Sequence, residues 1–307
     1  MARFELSYRN LNIPWQAYTG TMRTHPTLFA HAVSAAPVKI RRTARFGEAF
    51  EAIVRNCLAQ VHGNVPGVLA GDIESLHQMR VGVRRLRALL SAAQSWDPMP
   101  EGTAGKLRWF GVELGRARNW DVFLESTLPG LGGSSQPVEA MARELAHKQH
   151  VHIEHLLQGP RCKALMEELA LWSTERLWRD PARIQPWDKD ARKVSKALLR
   201  RARERVAGRA RRLDTARAES LHRLRIAVKK ERYLREFFGS SSRSQVLADA
   251  QEVLGRMNDS RVARDLLRTL EDHLPAHTAE LSFLEGVLAG QQDECLPKAI
   301  RFARRKL

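Results

Sequence analysis

Residues 75–87 of this chain read Ser-Leu-His-Gln-Met-Arg-Val-Gly-Val-Arg-Arg-Leu-Arg, and residues 220–232 read Ser-Leu-His-Arg-Leu-Arg-Ile-Ala-Val-Lys-Lys-Glu-Arg. His77 is thus matched by His222, and a second match follows downstream. Leu114-Gly115-Arg116 with Asn119 pairs with Leu254-Gly255-Arg256 with Asp259. A self-similarity of this length means a duplicated structural unit. Two halves, each a small helical bundle, explain it most economically.

Helical periodicity runs through most of the chain, and alternating β-branched runs are absent beyond the first fifteen residues, so the sequence predicts an all-α fold. Residues 1–44 are broken by Pro14, Gly20, Pro26 and Pro37 and read as an irregular N-terminal arm, ending in the basic run Lys39, Arg41, Arg42, Arg45. Helices are expected at about 45–62, 72–95, 103–118, 137–157 and 161–178, and after Pro181 and Pro186 at about 188–212, 216–238, 243–257, 260–272 and 278–305. The expected organisation is therefore an arm (1–44), a first half (45–183) and a second half (184–307).

Within the first repeat His77, Arg80, Arg84 and Arg87 fall at i, i+3, i+7 and i+10, on one helical face, and His222, Arg225, Lys229 and Arg232 have the same spacing. Leu76, Val83, Leu86, Leu221, Leu224 and Val228 supply the apolar face. Each helix can then pack while presenting a cationic stripe about 15 Å long. Like charges so placed cost a few tenths of a kcal/mol per pair in an isolated helix, and the same arrangement in both halves implies that an anion offsets the repulsion. Arg85 and Lys230 adjoin the stripes and are grouped with them. The 189–212 helix adds 11 Lys and Arg against Asp190 and Glu204, with Lys196, Arg200 and Arg203 on one side, and Arg42 is a further outer contributor. The whole chain carries 51 Lys+Arg against 34 Asp+Glu, a formal charge of +17, which suits nucleic acid, an anionic membrane surface or a phosphate polymer.

These residues resemble the CHAD family, the conserved-histidine α-helical domain, whose hallmark is a doubled His-x-x-Arg-Val/Ile-x-x-Arg/Lys-Arg/Lys-x-Arg helix. The resemblance covers about residues 45–307 and includes Arg232-Tyr233 followed by Glu236. It implies two helical bundles related by approximate two-fold pseudosymmetry, with the basic helices lining a central groove or pore. It further implies binding of inorganic polyphosphate and a place on cytoplasmic polyphosphate granules, alongside other granule proteins, without catalysis by the domain. Asn119 stands where the family often has Asp, and Glu231 interrupts an otherwise basic and apolar pattern while lying off the stripe. The CYTH triphosphatase domain often fused to family members needs alternating glutamates near its start, which Phe4-Glu5-Leu6-Ser7 does not supply.

Other functions are less well served. Glu-x-x-His occurs at Glu74/His77, Glu144/His147 and Glu219/His222, the spacing used in di-iron bundles, but two of these histidines share a face with several cations. The His147, His150, His152, His155 cluster lacks a matching set of acids, and no glycine-rich phosphate loop or nucleophile elbow is present. No catalytic site, cofactor or resident metal is expected. Cys57, Cys162 and Cys295 form no C-x-x-C pair and read as reduced thiols. No stretch has the roughly 18 to 20 apolar residues of a membrane span, and Glu5 and Arg9 replace the apolar core of a signal peptide. Nucleic-acid binding is the alternative, because Lys and Arg neutralise any phosphodiester chain. The basic faces lack interleaved aromatics to stack bases, however, with Trp96, Trp109, Trp120, Trp172, Trp178 and Trp187 elsewhere.

Overall fold

The computed structural model describes residues 31–96, 98–179, 185–214 and 218–307. Most of the expected arm, residues 1–30, lies outside the described residues, as does Pro181. The described chain is helical, and its one β-type pairing is an isolated bridge between Arg45 and Asp190. The principal helices are α1 (Phe46–Gly63), α2 (Ile73–Ala92), α3 (Thr103–Val122), α4 (Gln136–Gln158), α5 (Pro160–Thr174), α6 (Ala191–Arg211), α7 (Ala218–Phe237), α8 (Ser244–His273) and α9 (Thr278–Lys306). None of the described helices is long and apolar enough to cross a membrane.

One departure concerns α8, a single helix where two were expected. Asn258, Asp259 and Ser260 favour turns because their side chains compete for backbone groups. Here that competition is absorbed inside the helix: Asn258 Nδ2 donates to Asp259 Oδ1 at 3.3 Å and Ser260 Oγ donates to the Arg256 carbonyl at 3.0 Å.

The helices form two compact units. Of the described residues, the first comprises 31–36 together with those of Phe50–Leu114 and His152–Gln185. Its core holds Phe50, Trp172 and Trp178 in mutual contact, with ring centroids 5.3 to 6.2 Å apart, and the Trp172 indole donates to the Pro98 carbonyl at 2.6 Å. Two devices set the motif helix α2 in place. Asp72 caps it, accepting from the Ser75 backbone N–H at 2.8 Å. Gly82 then lets it approach α1 closely, since a Cβ there would stand 2.9 Å from Val61 Cγ2 and 3.2 Å from the Cys57 carbonyl. The matching residue in the second repeat is Ala227, also buried.

The second unit comprises Pro37–Ala49, Gly115–Val151 and Pro186–Leu307. Its long helices α8 and α9, joined through the short turn Pro275–His277, pack along each other and serve two apolar clusters. Leu267, Leu270, Leu281 and Leu284 meet Trp120, Phe123 and Val138 in one, and Leu247, Leu254 and Ala299 meet Val206, Leu224 and Val228 in the other. The basic helix α6 is capped by Asp190, which accepts from Arg192 N–H at 2.8 Å and Lys193 N–H at 3.1 Å. Those bonds, Lys193's first, hold the Asp190 carboxyl below the usual carboxylate range. Beside it, Phe46 N–H donates to the Lys189 carbonyl at 2.9 Å and its ring stacks on Trp187 at 5.7 Å.

Candidate functional site

In the first unit the apolar positions of α2 are buried as the repeat predicts, with Leu76, Val83 and Leu86 at 1% exposure or less. His77, Arg80 and Arg84 are half-buried and Arg87 is exposed. The Arg87 guanidinium lies across Gly111 of α3, whose ideal Cβ would come within 3.2 Å of Nη1. Desolvation there, then the charge of Arg108, lowers the Arg87 pKa.

Arg85 corrects the grouping made from sequence. Its side chain is 2% exposed, and Nη1 donates to Asn56 Oδ1 at 2.9 Å and Gln60 Oε1 at 3.0 Å, inside the unit. A polar chain extends both ways from it. Asn56 Nδ2 donates to the Ala36 carbonyl, Gln60 Nε2 to Gln78 Oε1 at 2.9 Å, and Gln78 Nε2 to Glu74 Oε1 at 2.7 Å. Asn64, just past the end of α1, exchanges hydrogen bonds with both backbone groups of Val33. Arg85 thus fixes the rotation of α2 and helps moor residues 31–36. The available signal was the recurrence of Asn56, Gln60 and Asn64 at four-residue intervals. We expect Arg85→Met to lose about 2 kcal/mol in chemical unfolding, since it leaves two buried acceptors unsatisfied. The variant's anion affinity, measured once folded, should match that of the unaltered chain; a loss as large as that of Arg84→Met would put Arg85 back on the face.

In the second unit Leu224 and Val228 are buried, and His222, Arg225, Lys229 and Arg232 lie along α7. Arg225 approaches Asp259 of α8, Nη2 to Oδ1 at 3.9 Å, and Arg232 hydrogen-bonds Gln251 of the same helix. His222 also meets α8, through a side-chain hydrogen bond with Asn258 and the nearby charge of Arg261. Sequence reasoning missed both residues, although Asp259 beside them had been matched by the repeat. Although His222 is exposed, partial desolvation first, then Arg225 and Arg261, lower its pKa, opposed by Asn258 and Glu219. Lys196, Arg200 and Arg203 are exposed on α6, which packs against α7 and is tied to it by Arg209 Nη1 donating to the Arg223 carbonyl at 2.5 Å. Lys230 is half-buried and Arg42 exposed.

Glu231 is the second correction. Far from an incidental off-stripe charge, it is fully buried, and Oε1 accepts a hydrogen bond from Arg235 Nε at 2.9 Å and makes ion-pair contacts with Arg235 Nη2 at 2.8 Å and Arg243 Nε at 3.5 Å. Arg235 Nη1 continues to Ser242 Oγ at 2.7 Å and Ser240 Oγ at 3.2 Å. Glu231 therefore ties the C-terminal half of α7 to the turn that leads into α8.

The histidine-rich helix α4 divides its imidazoles between separate acids. His150 Nε2 is 2.7 Å from Asp121 Oδ1 and His152 Nε2 is 3.3 Å from Glu113 Oε2, while His147 and His155 are exposed. Among the described residues no three His, Cys, Asp or Glu side chains are grouped so as to hold a metal ion.

Residues 52–268 match the CHAD domain family. The crystal structure of the CHAD domain from the plant Ricinus communis superposes with a TM-score of 0.80 at 34% identity, covering 91% of this chain and 98% of that one. PptA from Streptomyces chartreusis shares the fold, with a TM-score of 0.63 at 18% identity over 85% of this chain and 98% of its own. An uncharacterized protein of Mycobacterium tuberculosis, found in strains CDC 1551 and H37Rv, is 28% identical over 264 residues, 78% of this chain. The chain spans about half the length of that relative, 49%. With the family match extending over most of the sequence and carrying both motif helices, the chain belongs to the CHAD domain family.

Proposed function

We propose that this protein binds inorganic polyphosphate, without turning it over, through the cationic faces of α2 and α7, and that the internal repeat is a duplication that supplies those two faces. The observation that carries the reading is the pairing, on both helices, of a buried apolar side with a row of His, Arg and Lys in the same order. Such a row selects for dense negative charge without offering groups that read bases. His77, Arg80, Arg84 and Arg87 in the first unit, and His222, Arg225, Lys229 and Arg232 in the second, are the proposed phosphate contacts, with Arg42, Lys196, Arg200, Arg203 and Lys230 as outer contributors. Guanidinium groups suit this role because they grip phosphate oxygens in a fork. Association with polyphosphate granules and their proteins follows as the proposed setting.

The test is titration of labelled long-chain polyphosphate at moderate salt, with excess single- and double-stranded nucleic acid as competitors. Salt is required because a protein of charge +17 holds any polyanion in dilute buffer. Binding that survives the competitors supports the reading. Displacement by nucleic acid at equal phosphate concentration replaces it with nucleic-acid binding.

A further inference from the structure

The cations of the second unit are held in two different ways. Along α8 they meet acids: Arg261 contacts Asp265 at 3.0 Å, Arg256 contacts Glu252 at 2.6 Å, Arg268 contacts Glu285 at 2.8 Å, and Arg225, reaching across from α7, stands 3.9 Å from Asp259. At the C-terminal end of α6 they meet carbonyls. Arg209 Nη1 donates to the Arg223 carbonyl at 2.5 Å and Arg212 Nε donates to the Gly208 carbonyl at 3.1 Å. A carbonyl orients a guanidinium without cancelling its charge, and one such bond leaves the other N–H groups of the fork for a second acceptor.

These two arginines belong to a row. Arg201, Arg205, Arg209 and Arg212 stand at i, i+4, i+8 and i+11 on α6, on a different side of the helix from Lys196, Arg200 and Arg203. The row borders the seam with α7, because Val206 and Ala210 share one apolar cluster with Leu224 and Ala227, and Arg209 spans from one helix to the other. Arg205, Arg212 and Arg223 are exposed and Arg209 is half-buried. The described acids of this stretch, Glu204, Asp214 and Glu219, are all exposed; Glu204 approaches Arg200 at 3.9 Å and Glu219 approaches Arg223 at 3.6 Å.

The carbonyls at the end of a helix favour cations, which accounts for Arg209 and Arg212. They do not account for Arg205, one turn earlier, or for Arg223, towards the N-terminal end of α7, an end that favours negative charge. Desolvation first, then the charges of Arg205, Arg223 and Arg212, lower the pKa of Arg209. We infer that the seam between α6 and α7 is a phosphate-binding site, in which Arg205, Arg209, Arg212 and Arg223 grip the phosphates of one chain. Arg209 and Arg212 are set in advance by the carbonyls they hold, and Arg205 and Arg223 contribute from either helix. The site rests on the polyphosphate reading and gives the ligand a path, from the row of His222 across the adjacent Arg223 to α6.

The experiment is titration of long-chain polyphosphate into the full chain over a series of salt concentrations, comparing Arg205→Gln/Arg223→Gln with the unaltered protein. Both side chains are exposed, and the bond from Arg209 goes to the backbone of Arg223, so the thermal midpoint should not change. Affinity at moderate salt should fall on the order of tenfold or more, and the slope of log affinity against log salt should flatten by about one unit per arginine, as for lost phosphate contacts. Arg304→Gln/Arg305→Gln on α9 changes net charge equally and should leave both quantities nearly unaltered. Bound polyphosphate should also shield Arg205 and Arg223, but not Arg304, from an arginine-directed dicarbonyl reagent. If the seam variant keeps full affinity, or loses no more than the α9 variant, the seam is overturned while the polyphosphate reading stands on the binding of the unaltered protein. If the unaltered protein binds no polyphosphate, the two fall together.

Discussion

Replacing Arg84 and Lys229 together by glutamate should remove measurable polyphosphate binding from a protein that still folds. The two residues sit at the same place in the two repeats, seven residues after His77 and His222, and both are half-buried on their helices. A charge-assisted hydrogen bond to phosphate contributes about 1.5 to 3 kcal/mol, and reversal adds repulsion to the loss. Two such changes exceed about 4 kcal/mol, on the order of a thousandfold in affinity. The change in total charge is a smaller effect, because the protein remains strongly basic from its +17. Reversing the exposed pair Arg304 and Arg305 on α9 alters net charge identically and serves as the control. Full binding by the folded Arg84→Glu/Lys229→Glu protein would refute the assigned faces.

The difference between Arg84 and Arg85 shows where the sequence was readable. Periodicity alone placed Leu76, Val83 and Leu86 inward and His77, Arg80, Arg84 and Arg87 along the opposite side, because burial of apolar side chains and helical geometry act within a few residues. Whether Arg85 turned inward depended on Asn56 and Gln60, more than twenty residues upstream, and no local rule links them. Arg261 and Asn258 were hidden in the same way, since only the packing of α8 on α7 brings them to His222. The single helix α8 was missed for a local cause: the turn formers at 258–260 satisfy themselves within it. All of these misses involve polar groups, whose partners are specific and can lie far away in sequence. Apolar positions need only an interior.

Glu231 illustrates that specificity at its most costly, and its removal should produce the largest loss of stability. Glu231→Gln leaves Arg235, only 6% exposed, without the carboxylate that both its Nε and Nη2 contact. An uncompensated buried charge of this kind costs about 3 to 5 kcal/mol, read as a fall in the denaturant midpoint. A loss below about 0.5 kcal/mol, the scale of ordinary surface changes, would show that the carboxylate holds nothing. The repeat suggests the rescue. Leu86 and Leu90 occupy the matching positions in α2, so the first half packs with leucines where the second uses Glu231 and Arg235. Because a buried ion pair often gains little over apolar residues that fit its place, Glu231→Leu combined with Arg235→Leu should recover most of what the single change loses. Ser240 and Ser242 would then lose the Arg235 donor and Arg243 its contact with Glu231, leaving the turn into α8 less firmly held. The double variant should accordingly unfold near the original midpoint yet exchange the amide protons of residues 239–244 faster, separating the pair's role in shaping that turn from its net contribution to stability.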